Sequence, residues 1–297
     1  MKNGVFFYHI DAAILKGEAN TVTEALTPLK KYGVDFVEVD SDQIVERYNT
    51  KELVKELSDN GVRVDSSFYA FVFDPANKNA VEDAKEETLR RLELAQNLGS
   101  RIYLAVPRVI VEHKNEEARC ECRKMVAEYM TFVSEQAGNF GLVPTFENIS
   151  ALTMPYSRID DIEYMLENVP GIKYVFDTGN FWFGGTDVLE ALDKFNGKFV
   201  HVHAKDTCPG KSCDIAIGTG VLPLEEVFNK IKANGYDPKS PMIVMINRKF
   251  GVKDQILQGH HRVGICQELD IKEVNICFWT TPCSFKLLNF FTKKGTK

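Results

Sequence analysis

The chain has 297 residues, of which 44% are hydrophobic and 26% charged, and its net charge is −6. Those proportions are those of a soluble globular protein and argue against disorder. The acidic balance excludes the usual electrostatic basis for nucleic-acid binding, clustered Lys and Arg set against phosphates.

No apolar run approaches the roughly 20 residues of a membrane span, and Asp11 interrupts the apolar start too early for a signal sequence. Seven cysteines with no CxxC pair, the nearest spacing being Cys120-Glu-Cys122, give neither a disulfide framework nor a zinc ribbon. The expectation is a cytoplasmic protein with no membrane partner and no nucleic-acid partner.

Short apolar, β-branched or aromatic runs recur along the chain. Strands are predicted at "GVFFYHI" (4–10), "DFVEVD" (35–40), "VRVDSSFYAF" (62–71), "RIYLAVP" (101–107), "LVPTFEN" (142–148), "IKYVFDT" (172–178), "KFVHVHA" (198–204) and "PMIVMIN" (241–247). Stretches with apolar residues three and four apart lie between them and predict helices at 21–33, 50–61, 81–99 and 118–141. Gly33, Gly61 and Gly99 stand where a left-handed residue ends a helix. Eight alternations of strand and helix predict an α/β fold, a parallel sheet closed into a (β/α)₈ TIM barrel. A doubly wound open sheet is the alternative. It would often carry a glycine-rich phosphate turn after the first strand, where this chain has "HIDAAILKG".

The barrel pattern occupies residues 1–247. Residues 248–297 carry nine Lys/Arg against four Asp/Glu, a net of +5 beside −11 for the rest, and hold no sustained helical period. The eighth helix is therefore poorly specified, and 248–297 reads as an atypical tail.

Active sites of such barrels lie at the C-terminal ends of the strands. Three consecutive strands end in a side chain able to bind a metal: "VPTFEN" in Glu147, "KYVFDTGN" in Asp177 and "FVHVHA" in His203. Any one of them alone would read as a loop cap or a wall residue. Together, two carboxylates and an imidazole suit Mn²⁺, Mg²⁺, Co²⁺ or Fe²⁺ better than a closed structural zinc. His201 shares a strand face with His203 and sits one layer deeper, where it would support the substrate or the site.

"FEN", "FDTGNFWFGGTD", "FVHVHAKD", "AIGTGVLPLEEV" and "NGYD" fall in the order found in the xylose isomerase-like TIM-barrel family of sugar and sugar-phosphate isomerases and epimerases, which this sequence resembles over most of 1–247. The resemblance implies a divalent cation, with Mn²⁺, Mg²⁺ or Co²⁺ foremost, on Glu147, Asp177 and His203. It also implies a small sugar or sugar phosphate as substrate, and dimers or tetramers as common assemblies. The family's fourth ligand, a Glu ending the eighth strand, is replaced by Met245, whose thioether is a poor partner for a hard cation.

Epimerisation in the family resembles a relay between two carboxylates, whereas aldose–ketose isomerisation runs with one base. Glu147 as sole base therefore fits isomerisation better. The competing reading is a catalytically impaired barrel that keeps only sugar binding or a scaffold role. Met245 and the tail also fit a chain out of register after about residue 245, whose signature would be an E-I-N-like strand in another reading frame. The endonuclease IV type resembles a site rich in histidines, and four His before the tail argue against it.

Further candidates are weaker. His9 and Glu38, read as strand ends, could meet sugar hydroxyls or simply cap. Phe68, Tyr69, Phe71 and Trp182 offer an apolar rim, although such aromatics are more often core. Asn180 stands where some family branches carry a substrate-binding His. Lys205 and Asp206 either pair with each other or hold substrate. His260 and His261, as chain neighbours, point in different directions and make no ligand pair.

Overall fold

The computed structural model describes residues 2–30, 34–73, 77, 79–109, 115–150, 154–209, 218–233 and 241–244. Met245, the 248–297 tail with any eighth helix, and Gly33 lie outside the described residues.

In chain order the elements are β1 (Lys2–Phe6), α1 (Phe7–Leu15), α2 (Val22–Lys30), β2 (Val34–Asp40), α3 (Ser41–Arg47), α4 (Thr50–Asp59), β3 (Arg63–Phe73), α5 (Ala80–Asn97), β4 (Ile102–Val109), α6 (Glu116–Asn139), β5 (Val143–Glu147), α7 (Ile159–Asn168), β6 (Lys173–Asp177), α8 (Asn180–Phe183), α9 (Val188–Phe195), β7 (Phe199–Ala204), α10 (Leu224–Ala233) and β8 (Pro241–Val244). The strands are parallel and close in sequence order, β8 pairing with both β7 and β1. All eight expected strands form, as do the four expected helices. The left-handed stops expected at Gly61 and Gly99 have φ of 72° and 75°.

β1 differs from its expectation. It ends at Phe6, and the chain turns at once into α1, so His9 is a helical residue rather than a strand end. The apolar run "GVFFYHI" hid that switch, because a short run without a turn residue fits either element. β2 also continues two residues past Glu38, to Asp40, whose side chain accepts from Asp42 N at 3.0 Å and starts α3.

Alternation along each strand sorts the side chains into two layers. Outward rows bury Val37 and Val39 of β2, Tyr103 and Ala105 of β4, and Tyr174 and Phe176 of β6 against the helices in two large apolar clusters. Inward rows fill the barrel in two smaller groups, one of Phe6, Phe36 and Phe68, the other of Leu104, Val106 and Val175. Phe36 crosses the barrel floor over Gly4, where a Cβ would lie 2.0 Å from its Cε2. A side chain at Gly4 would expel that ring.

Among the described residues no helix is long and apolar enough to cross a membrane.

Candidate metal centre and active site

The inward rows of β5, β6 and β7 end in acids and histidines. Asp177 and His203 face each other as register partners, while Glu147 pairs with Val175, one layer below Asp177. The stagger sets the three side chains around one point. His203 Nδ1 is 2.8 Å from Glu147 Oε2 and 3.8 Å from Asp177 Oδ2. One donor atom from each of the three lies within 4.8 Å of the others.

Asp177 divides its two oxygens. Oδ1 accepts from the backbone N–H of Gly179 and Asn180, both at 2.9 Å, closing the turn after β6. Oδ2 faces His203 and the Lys205 ammonium, the latter at 2.7 Å. Gly179 is required because Lys205 Cβ lies 2.6 Å from where its own Cβ would be. Thr178 ties the same two strands, accepting from Lys205 N at 2.8 Å and donating to Lys205 O at 2.7 Å.

Asn148, not among the residues expected at the site, clamps β6 from the end of β5. Its Oδ1 accepts from Asp177 N at 3.0 Å and from the Tyr174 hydroxyl at 2.6 Å, and its Nδ2 donates to Asp177 O at 3.0 Å. Asn180 Nδ2 in turn donates to Asn148 O at 2.7 Å. The signal was present in "FEN" and "DTGN", where each ligand adjoins a small polar residue.

A third carboxylate reaches the site from the opposite wall. Glu38 on β2 is fully buried, with Oε2 3.3 Å from His201 Nε2 and Oε1 3.3 Å from His203 Nε2. Burial alone would raise its pKa, but the two imidazoles, His203 foremost, outweigh burial and hold it well below the usual carboxylate range. Burial likewise disfavours a proton on His203, yet Glu38 and Glu147 overcome this and push its pKa up to about 10. His201 shifts down because burial prevails over Glu38. Glu147 shifts down because His203 and Lys205 overcome its burial. Two buried carboxylates, Glu38 and Asp177, and the partly exposed Glu147 thus meet two cationic groups, His203 and Lys205. A divalent cation in place of the His203 Nδ1 proton suits this excess of negative charge and the hard oxygen and imidazole donors. The residues present fit such an ion.

Exposure separates the groups a substrate could touch from those that support them. The side chains of Asp177 and His203 are 0% and 3% exposed, whereas Glu147 and Lys205 retain 13% and 11%. Trp182, in α8, is 40% exposed. Arg108, two residues beyond Val106 in the inward row of β4, is exposed at the mouth, a cation sequence reading passed over.

Other expected positions sort differently. Asn180 is 5% exposed and meets Lys205 Nζ through Oδ1 at 3.4 Å as well as Asn148. His9 packs its ring against Tyr8, with centroids 4.3 Å apart, and burial and then Lys16 lower its pKa to about 4. Phe68 joins the inward aromatic group, but Tyr69 and Phe71 point outward toward the helices, so the expected rim divides. Asp206 does not pair with Lys205. It anchors the loop after β7, accepting from Thr207 N at 2.9 Å, Gly218 N at 2.6 Å and Gly220 N at 2.9 Å. His260 and His261 lie outside the described residues.

The chain is similar to L-ribulose-5-phosphate 3-epimerase UlaE of Salmonella heidelberg (strain SL476), with 30% identity over 228 residues, which cover 71% of this chain and 78% of that protein. Its fold is similar to that of D-psicose 3-epimerase with D-tagatose from Clostridium cellulolyticum H10, with a TM-score of 0.66, 14% identity and coverage of 93% of this chain and 100% of that one. The IOLI protein with a binding zinc atom gives a TM-score of 0.68 at 17% identity, covering 92% and 98%. The model of the xylose isomerase-like TIM barrel matches residues 26–257. With eight parallel strands closed in order and the acids and histidines gathered at their C-terminal ends, the chain belongs to the xylose isomerase-like TIM-barrel family.

Proposed function

We propose that this protein is a divalent-metal-dependent isomerase or epimerase of a small sugar or sugar phosphate, with Glu147 as general base. The observation that carries the reading is the convergence of Glu147, Asp177 and His203 at the mouth of the barrel, with Glu147 the most accessible of the three. The relatives named as sugar epimerases support the class.

Glu147, Asp177 and His203 would hold Mn²⁺, Mg²⁺ or Co²⁺, which when bound polarises a carbonyl and the adjacent hydroxyl. Glu147 takes the proton from the carbon next to that carbonyl, because His203 and Lys205 keep its carboxylate ionised and so in the base form. The same carboxylate returns the proton to the neighbouring carbon, while the adjacent hydroxyl gives its proton to the former carbonyl oxygen, which completes aldose–ketose isomerisation. Epimerisation requires a second group on the opposite face. Lys205 Nζ, partly exposed and 2.7 Å from Asp177, meets a substrate oxygen. Asn180 and His201 position that lysine and the cluster respectively, and Trp182 covers an apolar sugar face. Glu38 is fully buried and supports the site from behind, whereas His9, partly exposed in α1 just past the end of β1, meets a sugar hydroxyl. Arg108 supplies a cation at the mouth for a phosphate-bearing substrate.

The test is solvent exchange. Purified protein with Mn²⁺ is incubated in D₂O with ketopentoses, ketohexoses and their phosphates, and the loss of the C–H signal is followed by NMR. Exchange is expected with at least one substrate, and Glu147→Gln should slow it by about 10²–10⁴-fold. Tight Mn²⁺ binding without exchange on any sugar would favour the impaired barrel, for which Met245 in place of a fourth carboxylate is the specific ground.

A further inference from the structure

Glu38 is an ionisable side chain fully buried in a barrel wall that also carries Phe6, Phe36, Phe68 and its register partner Ser66. Removing a carboxylate from water costs several kcal/mol unless it is paired. Among the described residues its partners are two imidazoles and no Lys or Arg. Oε2 lies between the two rings, 3.4 Å from His203 Nε2 as its hydrogen-bond partner and 3.3 Å from His201 Nε2, while Oε1 lies 3.3 Å from His203 Nε2. The two rings stand edge to face, 85° apart, with centroids separated by 5.1 Å.

His203 therefore spans the barrel between two kinds of neighbour. Its Nδ1 points to Glu147 and Asp177, and its Nε2 points to Glu38. Phe6 closes one side of the ring edge-on at 5.3 Å. Among the described residues Glu38 is the one acceptor that meets Nε2. A neutral imidazole carries a proton on one nitrogen and a lone pair on the other, and the acceptor at one nitrogen decides which.

We propose that Glu38 is a positioning residue that holds His203 as the Nε2–H tautomer and so presents the Nδ1 lone pair to the cation, with His201 packed beside the same Glu38 oxygen. The inference rests on the metal assignment made above. It gives β2 a part in a site whose donors all come from β5, β6 and β7, and it accounts for a buried carboxylate that no substrate can touch.

The test measures Mn²⁺ affinity by electron paramagnetic resonance on the full chain, for the unaltered protein, Glu38→Gln, Glu38→Leu and Asp177→Ala. Alongside, long-range ¹⁵N–¹H spectra are recorded on the Zn²⁺-loaded unaltered protein. Glu38→Leu should weaken binding by about 10–100-fold, the usual loss when the partner of a ligating histidine is removed, and Glu38→Gln, which keeps a carbonyl acceptor, by less. The spectra should place the His203 proton on Nε2. That readout needs no variant, so misfolding of Glu38→Leu cannot imitate it. Equal affinity in both Glu38 variants overturns the proposal and leaves the metal assignment standing, whereas a proton on Nδ1 in the Zn²⁺-loaded protein overturns both, because a protonated Nδ1 has no lone pair for the cation. Absent binding in the unaltered protein, or binding that survives Asp177→Ala, overturns both. Two equivalents of metal, the second lost in a His201 variant, would make Glu38 a ligand and overturn the positioning role.

Discussion

The two halves of the barrel interior are built from different chemistry. From β5 to β7 the inward rows end in Glu147, Asp177, His203 and Lys205, tied by Asn148, Thr178 and Gly179 into a polar lattice. From β1 to β4 the inward residues include Phe6, Phe36, Phe68, Leu104 and Val106, and Glu38 reaches across from this side. The two halves divide the labour. One half gathers donors for a cation, and the other keeps water away from them and fixes one imidazole.

The largest effect should come from Asp177→Ala, which breaks the polar half at its centre. Asp177 supplies a donor through Oδ2 and closes the turn after β6 through Oδ1, so both functions go together. Mn²⁺ binding should weaken by more than the about 10–100-fold that loss of an outer partner costs. Site-specific binding at the unaltered affinity would mean that the cation sits elsewhere.

A paired measurement sharpens the contrast. Phe36→Ala empties the floor of the apolar half and should cost about 3–5 kcal/mol of unfolding free energy by denaturant titration, with Mn²⁺ affinity retained in the folded protein. Asn148→Ala leaves the Tyr174 hydroxyl and Asp177 N without their acceptor and Asp177 O without its donor, costing about 1–3 kcal/mol for each group left unsatisfied, and should weaken Mn²⁺ binding at a comparable stability loss. If the loss of affinity instead followed the loss of stability across the pair, the halves would not be separable.

The three donors were legible in the sequence because strand alternation and strand ends are local properties: "FEN", "FDTGN" and "FVHVHA" each carry their own register. Glu38 was visible as a candidate but not as the partner of His203. The two lie 165 residues apart, on β2 and β7, and only closure of the barrel brings them together. Asn148 was missed for a similar reason, since its clamp depends on how β5 and β6 align. Lys205 and Asp206 show the limit of adjacency. Side chains at neighbouring strand positions diverge, so one enters the site and the other ties down a loop. His9 was misplaced because nothing in "FFYHI" marks the point where β1 becomes α1.

The smallest effect on metal binding, and the most discriminating, belongs to Lys205→Met. The ammonium lies 2.7 Å from Asp177 Oδ2, the oxygen left over after the turn has used Oδ1, and so competes with a cation for the same atom. Methionine keeps an unbranched stem beside Gly179 and removes the charge. Mn²⁺ binding should then be unchanged or a few-fold tighter, because the incoming ion no longer displaces or faces a like charge. Solvent exchange into substrate should nevertheless fall, since the ammonium is the accessible cation beside Glu147. Tighter metal with slower exchange assigns Lys205 to the substrate. Weaker metal would mean that the lysine organises Asp177, and the polar half would then depend on its own internal ion pair as much as on the cation it gathers.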